Sequence, residues 1–245
     1  MRVCATAPFA AEDVLLEASA ALEASSARWR PHDLLRLREL AVFDGEPAWV
    51  RSAFERAPYA VVRRALSADG FVAIGVRGEL RSQRYGTWSR IADIDEAVPP
   101  EALAHRAPRD DRGALPAFVA LAALAELAAA GSHTPDLLRG LAWGPAGSAG
   151  FELATGVATA TASSDLDLLI RAPRTLTHDL ARALLDQLEA VAGRAGVRID
   201  AQLETPAGGV ALAEWAAARP RVLARHASGP QLVADPWASA APATQ

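Results

Sequence analysis

The chain has 245 residues and a mass of 25.7 kDa, enough for one or two domains. Hydrophobic residues make up 51% and charged residues 22%, a globular balance that excludes a disordered chain. A net charge of -4 supplies no basic excess and argues against nucleic-acid binding, and the single cysteine, Cys4, excludes an intramolecular disulfide and a cysteine-only zinc site. All 25 basic residues are arginine. Any cationic grip on phosphate must therefore come from guanidinium forks, and lysine Schiff-base and P-loop chemistry are excluded.

Residues 1–30 read as a helical extension, with a helix over Glu12 to Ala27 striped by Leu15, Leu16, Ala20 and Leu22. Glu12 and Asp13 stand where a secretory signal needs an apolar core, and no apolar run reaches eighteen residues, so a cytoplasmic protein without a membrane span is expected. His32 to Leu35 reads as a helix start. Tyr59 to Arg64 is a short alternating piece, and Phe71 to Val76, between Gly70 and Gly78, is a buried strand. Together these predict a small α+β module over 31–100. A linker follows at 101–114, in which Asp110-Asp111-Arg112 reads as a solvated loop.

The second domain is expected over 115–238. Leu115 to Ala130 is a helix, with Pro116 in its first turn and Gly131 at its end. Leu141 to Trp143 is a short strand running into a glycine-rich turn, Gly144 to Gly150, and Asp165 to Arg171 is a strand. Thr177 caps the next helix, Asp179 suits its first turn, and Leu180, Leu184, Leu188 and Val191 form its buried stripe up to Gly196. Val197 to Leu203 is a strand and Val210 to Ala218 a helix. A hairpin about Gly229-Pro230 joins Val222–Arg225 to Leu232–Ala234, and 239–245 form a tail. The five histidines show no metal-ligand spacing.

The chemistry concentrates in one stretch. A strand turns alternate side chains to opposite faces, so Asp165 and Asp167 share a side, about 7 Å apart, while Leu166, Leu168 and Ile170 face the core. Paired carboxylates repel unless a cation lies between them, and magnesium (or manganese) suits carboxylate plus phosphate oxygens. On the following strand Asp200 shares a face with Arg198, Gln202 and Glu204. If the strands are neighbours, Asp165, Asp167 and Asp200 meet around a metal site of the kind that supports in-line phosphoryl displacement.

The order strand, Gly147-Ser148 turn, Asp-x-Asp strand, helix, acid-bearing strand resembles the nucleotidyltransferase superfamily related to DNA polymerase beta. The resemblance implies a mixed sheet, a phosphate grip by Gly147 and Ser148, metal binding by Asp165 and Asp167, and Asp200 as third ligand, base or both. Sixteen residues, 149 to 164, separate Ser148 from Asp165, an interval longer than in most of the superfamily. Trp143 to Gly156 and Ser163 to Leu169 closely resemble the phosphoribosyl-dephospho-coenzyme A transferases of bacterial malonate decarboxylase, the holo-acyl-carrier-protein synthases of that system. The likeness extends to Asp200–Pro206 with Gly208-Gly209, to Gly229–Val233 with Asp235-Pro236-Trp237, and back to Pro31–Leu35 and Arg77-Gly78 with Arg81 and Gln83-Arg84.

This family implies 2′-(5″-triphosphoribosyl)-3′-dephospho-coenzyme A as donor and a serine of the apo acyl-carrier subunit of malonate decarboxylase as acceptor, with pyrophosphate leaving. Positive charge for that pyrophosphate is expected from Arg77, Arg81 and Arg84, and from Arg171 on the face of Asp165 and Asp167. Trp143 and Phe151 either flank the donor or belong to the core. The alternatives are another transferase of the superfamily, such as the citrate lyase counterpart or a small-molecule nucleotidylating enzyme, and a non-catalytic nucleotide-binding module.

Overall fold

The computed structural model describes residues 3–5, 28–129 and 137–238. The predicted helix at Glu12 to Ala27 and the tail at 239–245 lie outside them. The chain divides into two compact units, Met1–Pro99 and Pro100–Gln245, each built on a six-stranded sheet with helices, and neither sheet closes into a barrel. This is the α+β class expected. No helix among the described residues is long and apolar enough to cross a membrane.

The first unit holds β1 (Val3–Cys4), β2 (Leu34–Leu37), α1 (Trp49–Arg56), β3 (Tyr59–Val62), β4 (Phe71–Arg77), β5 (Arg84–Arg90) and β6 (Ile94–Val98). Its sheet runs β1-β5-β4-β3-β2-β6, antiparallel except for the β1–β5 pair. The run after His32 is thus a strand, not a helix. Leu35 and Leu37 are buried around exposed Arg36, an alternation of period two that outweighs the leucines' helix propensity. The core joins Leu35, Leu37, Ile74, Val76, Tyr85 and Trp88, with Val50 and Ala53 of α1 against it.

The second unit holds α2 (Pro116–Ala129), β7 (Ala142–Pro145), α3 (Gly147–Thr155), β8 (Leu166–Arg171), α4 (His178–Ala195), β9 (Ile199–Thr205), β10 (Gly208–Ala211), α5 (Leu212–Ala216), β11 (Val222–His226) and β12 (Gly229–Val233). The sheet order is β12-β11-β10-β9-β8-β7. Only β8 and β9 are parallel, and such a pair needs a long crossover, which α4 supplies. Thr177 caps α4, its hydroxyl accepting from the Leu180 amide at 3.3 Å, and Gly196 ends it in a left-handed conformation. The buried stripe is Ala181, Leu184, Leu188 and Val191; Leu180 lies outside it, 47% exposed in the first turn. The predicted helix from Val210 is two elements, because Gly208 to Ala211 pair with β9 before α5 begins at Leu212.

Candidate active site

Strand β8 carries the sequence's alternation. Leu166, Leu168 and Ile170 are at most 1% exposed, while Asp167 and the preceding Asp165 are half-buried on the other face. In the parallel ladder Asp167 is the register partner of Asp200, so these two carboxylate-bearing residues are lateral neighbours on strands about 4.8 Å apart.

The Gly-Ser segment lies beside them. The Ala146 amide donates to the Asp167 carbonyl at 2.8 Å, which ties β8 to the residue before Gly147. Gly147 has φ +58, a left-handed value that suits glycine, and a Cβ built on it would overlap Asp167 Oδ2. The Asp167 carboxylate therefore lies against the bare Gly147 backbone. Gly147 and Ser148 form the first turn of α3 rather than a free turn, so the positive dipole end of a nine-residue helix lies at this point. The stretch 149 to 164 is accordingly this helix followed by a loop back to Asp165.

Arg198 redistributes the acids. Its Nη2 donates to Asp200 Oδ2 and reaches Asp165 Oδ2 at 3.5 Å, so one guanidinium bridges two of the three carboxylates. Among the described residues no three His, Cys, Asp or Glu side chains gather as ligands of one metal ion. Arg198, on the face of Asp200, thus supplies counter-charge to Asp200 and Asp165. What remains is an oxygen-only pair, Asp165 and Asp167, on one strand. That donor set fits a hard divalent cation that takes its other ligands from water and phosphate, as magnesium does.

Arg171 meets an acid of its own unit. Its side chain is 7% exposed and its Nε donates to Glu101 Oε1 at 2.9 Å, a buried ion pair at the far end of β8. Arg77 and Arg84 stand in the first unit as direct cross-strand partners of β4 and β5. Arg81 is exposed on the connection between those strands, where the Gly78 amide donates to the Gln83 carbonyl at 3.1 Å. Trp143 and Phe151 are both buried core residues.

Two functional-looking groups escaped the sequence reading. Glu152, on α3, is 4% exposed. Its carboxylate accepts from Arg112 and from the Thr159 and Ala160 amides at 2.7 and 2.8 Å. Burial alone would push this carboxyl up; the hydrogen bonds from Arg112 and the two amides, with the Arg112 charge, outweigh it and hold the carboxyl below its ordinary value. Arg112, read as part of a solvated loop, is instead the partner of a buried acid. The only signal in the sequence was an acid set within the apolar run Phe151 to Ala154.

Comparison with known proteins matches both units. The family model described as the phosphoribosyl-dephospho-CoA transferase MdcG C-terminal domain covers residues 103–236, and the corresponding N-terminal domain covers 30–100. A phosphoribosyl-dephospho-CoA transferase of Pseudomonas putida (strain W619) is 47% identical over 210 residues, spanning 85% of this chain and 95% of the relative. One of Pseudomonas aeruginosa is 47% identical over 208 residues, 84% and 93% of the two chains, and one of Azotobacter vinelandii 43% over 212 residues, 85% and 94%. No solved structure matches the chain. A mixed sheet presenting paired acids beside a glycine at a helix start, in a chain with these relatives, defines a transferase enzyme. The chain belongs to the phosphoribosyl-dephospho-CoA transferase family.

Proposed function

We propose that this enzyme transfers the 2′-(5″-phosphoribosyl)-3′-dephospho-coenzyme A group from its triphosphate donor to a serine hydroxyl on the apo acyl-carrier subunit of malonate decarboxylase. The hydroxyl oxygen bonds to the donor's α-phosphorus, the bond from that phosphorus to the β-phosphate bridging oxygen breaks, and pyrophosphate leaves. The observation that carries this reading is the seating of the Asp167 carboxylate on Gly147, with Asp200 as its register partner.

In this reading Gly147 and Ser148 hold phosphate oxygens through amides at the start of α3. Asp165 and Asp167 would hold magnesium or manganese, which when bound neutralises charge on the triphosphate. Asp200 takes the proton of the incoming hydroxyl, with Arg198 paired to it and reaching Asp165. Positive charge for the leaving pyrophosphate is expected from arginine, whose planar fork grips two oxygens at once. Catalysis is then mostly positioning and charge stabilisation, as phosphoryl transfer requires.

The test is intact-mass spectrometry of apo carrier protein incubated with this enzyme, the donor and magnesium. A gain equal to one phosphoribosyl-dephospho-coenzyme A group, with one pyrophosphate released per carrier, is the expected result. Equal use of ATP or CTP in place of the donor would overturn the assignment.

A further inference from the structure

Four donors converge on the Glu152 carboxylate: Arg112 Nε on Oε1, and Arg112 Nη2 at 3.0 Å, the Thr159 amide at 2.7 Å and the Ala160 amide at 2.8 Å on Oε2. Arg112 Nη2 also donates to the Ala160 carbonyl at 2.6 Å. The guanidinium, the carboxylate and the 159–160 backbone thus close on one another. Thr159, fixed in this way, turns its hydroxyl onto the Ser148 carbonyl at 3.0 Å. One turn of α3 separates Ser148 from Glu152, so the clamp grips the helix at one point and the loop returns to it at another. From Thr159 the chain runs through a turn closed by the Ser164 amide on the Thr161 carbonyl at 3.0 Å, and ends at Asp165.

Stability alone gives weak reason for this device, since an apolar pair of the same volume would serve as well. A bidentate guanidinium–carboxylate pair adds direction. Here the directed object is the loop joining the Gly147-Ser148 turn to the Asp165–Asp167 pair. The geometry points to Arg112 and Glu152 as positioning residues that, through the Thr159 hydroxyl, hold the Gly147-Ser148 turn in the register that receives the donor's phosphates. This inference rests on the transferase reading above and adds three residues to it that touch no substrate.

Thr159→Val removes only the hydroxyl, and Thr159→Ser retains it. Donor binding is measured by calorimetry, and donor and carrier KM in the transfer assay, with melting temperature as the check on folding. Loss of one hydrogen bond that orients the turn is expected to weaken donor binding about fivefold, the equivalent of about 1 kcal/mol. Thr159→Ser is expected to bind donor like the wild type, and the carrier KM to stay unchanged in both. Arg112→Ala is expected to weaken donor binding further in the folded fraction; where it fails to fold, the Thr159 pair decides. Donor affinity unchanged in Thr159→Val, equal losses in both Thr159 variants, or equal rises in donor and carrier KM would each overturn the positioning role. A wild-type enzyme that binds no donor would instead overturn the transferase reading, and this inference with it.

Discussion

Replacing Gly147 by alanine strikes the candidate site at its tightest contact. Two effects follow. The left-handed backbone at φ +58 costs an L-residue about 1–2 kcal/mol. The new Cβ also overlaps Asp167 Oδ2, so the carboxylate must turn away or β8 must shift. Gly196 separates the two. Its φ is +66, but a Cβ there meets nothing within 4 Å, so Gly196→Ala carries the backbone penalty alone. Both variants are expected to lose at least that 1–2 kcal/mol, and at about 2–4 °C per kcal/mol for a unit of this size both melt measurably lower by calorimetry. Only Gly147→Ala is expected to lose transfer, by about a hundredfold, the scale of a 1 Å misplacement of a group at the reacting centre. The assay is the time course of carrier mass below both melting temperatures. Wild-type turnover in Gly147→Ala, or an equal loss in Gly196→Ala, would refute the claim that the bare glycine exists to seat Asp167.

Asp165→Ala and Asp167→Ala are each expected to lower transfer by about a thousandfold or more while circular dichroism and melting stay near wild type, and Asp200→Asn to be severe as well. Glu152 makes stability pH-dependent: its folded carboxyl titrates below the ordinary range, so its contribution is full above that range and lost as pH falls through the folded value. Urea midpoints measured down the acid range should show this loss in the wild type and not in Glu152→Gln. Arg171→Met removes the buried guanidinium that donates to half-buried Glu101 and is expected to cost up to about 3 kcal/mol in urea unfolding. Adding Glu101→Leu should recover most of that, and donor affinity of the folded protein should be unchanged by the pair.

Period decided what was legible. The β8 leucines and the α4 stripe announce themselves because one face is buried and the other is not, and that alternation puts Asp165 and Asp167 on one face, whereas Asp200 joins them only through the pairing of β8 with β9. Caps were equally legible at Thr177 and Gly196, where a hydroxyl and a left-handed glycine have local causes. His32 to Leu35 misled because so short a run ending in two leucines satisfies a helix or a strand, and pairing of Leu34–Leu37 with β3 and β6 makes it a strand. Leu180 misled because it fits the spacing of the α4 stripe yet lies exposed in the first turn, while Ala181 is buried in its place. The acid partners of Arg112 and Arg171 were hidden for a common reason. Whether an arginine meets phosphate, solvent or a buried acid depends on Glu152 and Glu101, which lie 40 and 70 residues away in the chain.

The acids themselves show why pair geometry is harder to foresee than face. Three carboxylates on one face must be neutralised from somewhere, and a sequence lists every candidate counter-charge without ranking them. Arg198 prevails because it lies on β9's own face, two residues from Asp200 and across the parallel pair from Asp165. Its side chain is 66% exposed, and an ion pair so placed is worth only about 0–1 kcal/mol. A bridge that weak would yield to a competing anion. The Arg112–Glu152 pair, buried and held by four donors, belongs to the other regime. Substitutions should divide accordingly: those from Gly147 through Thr159 altering donor affinity, those at Arg198 altering its salt dependence.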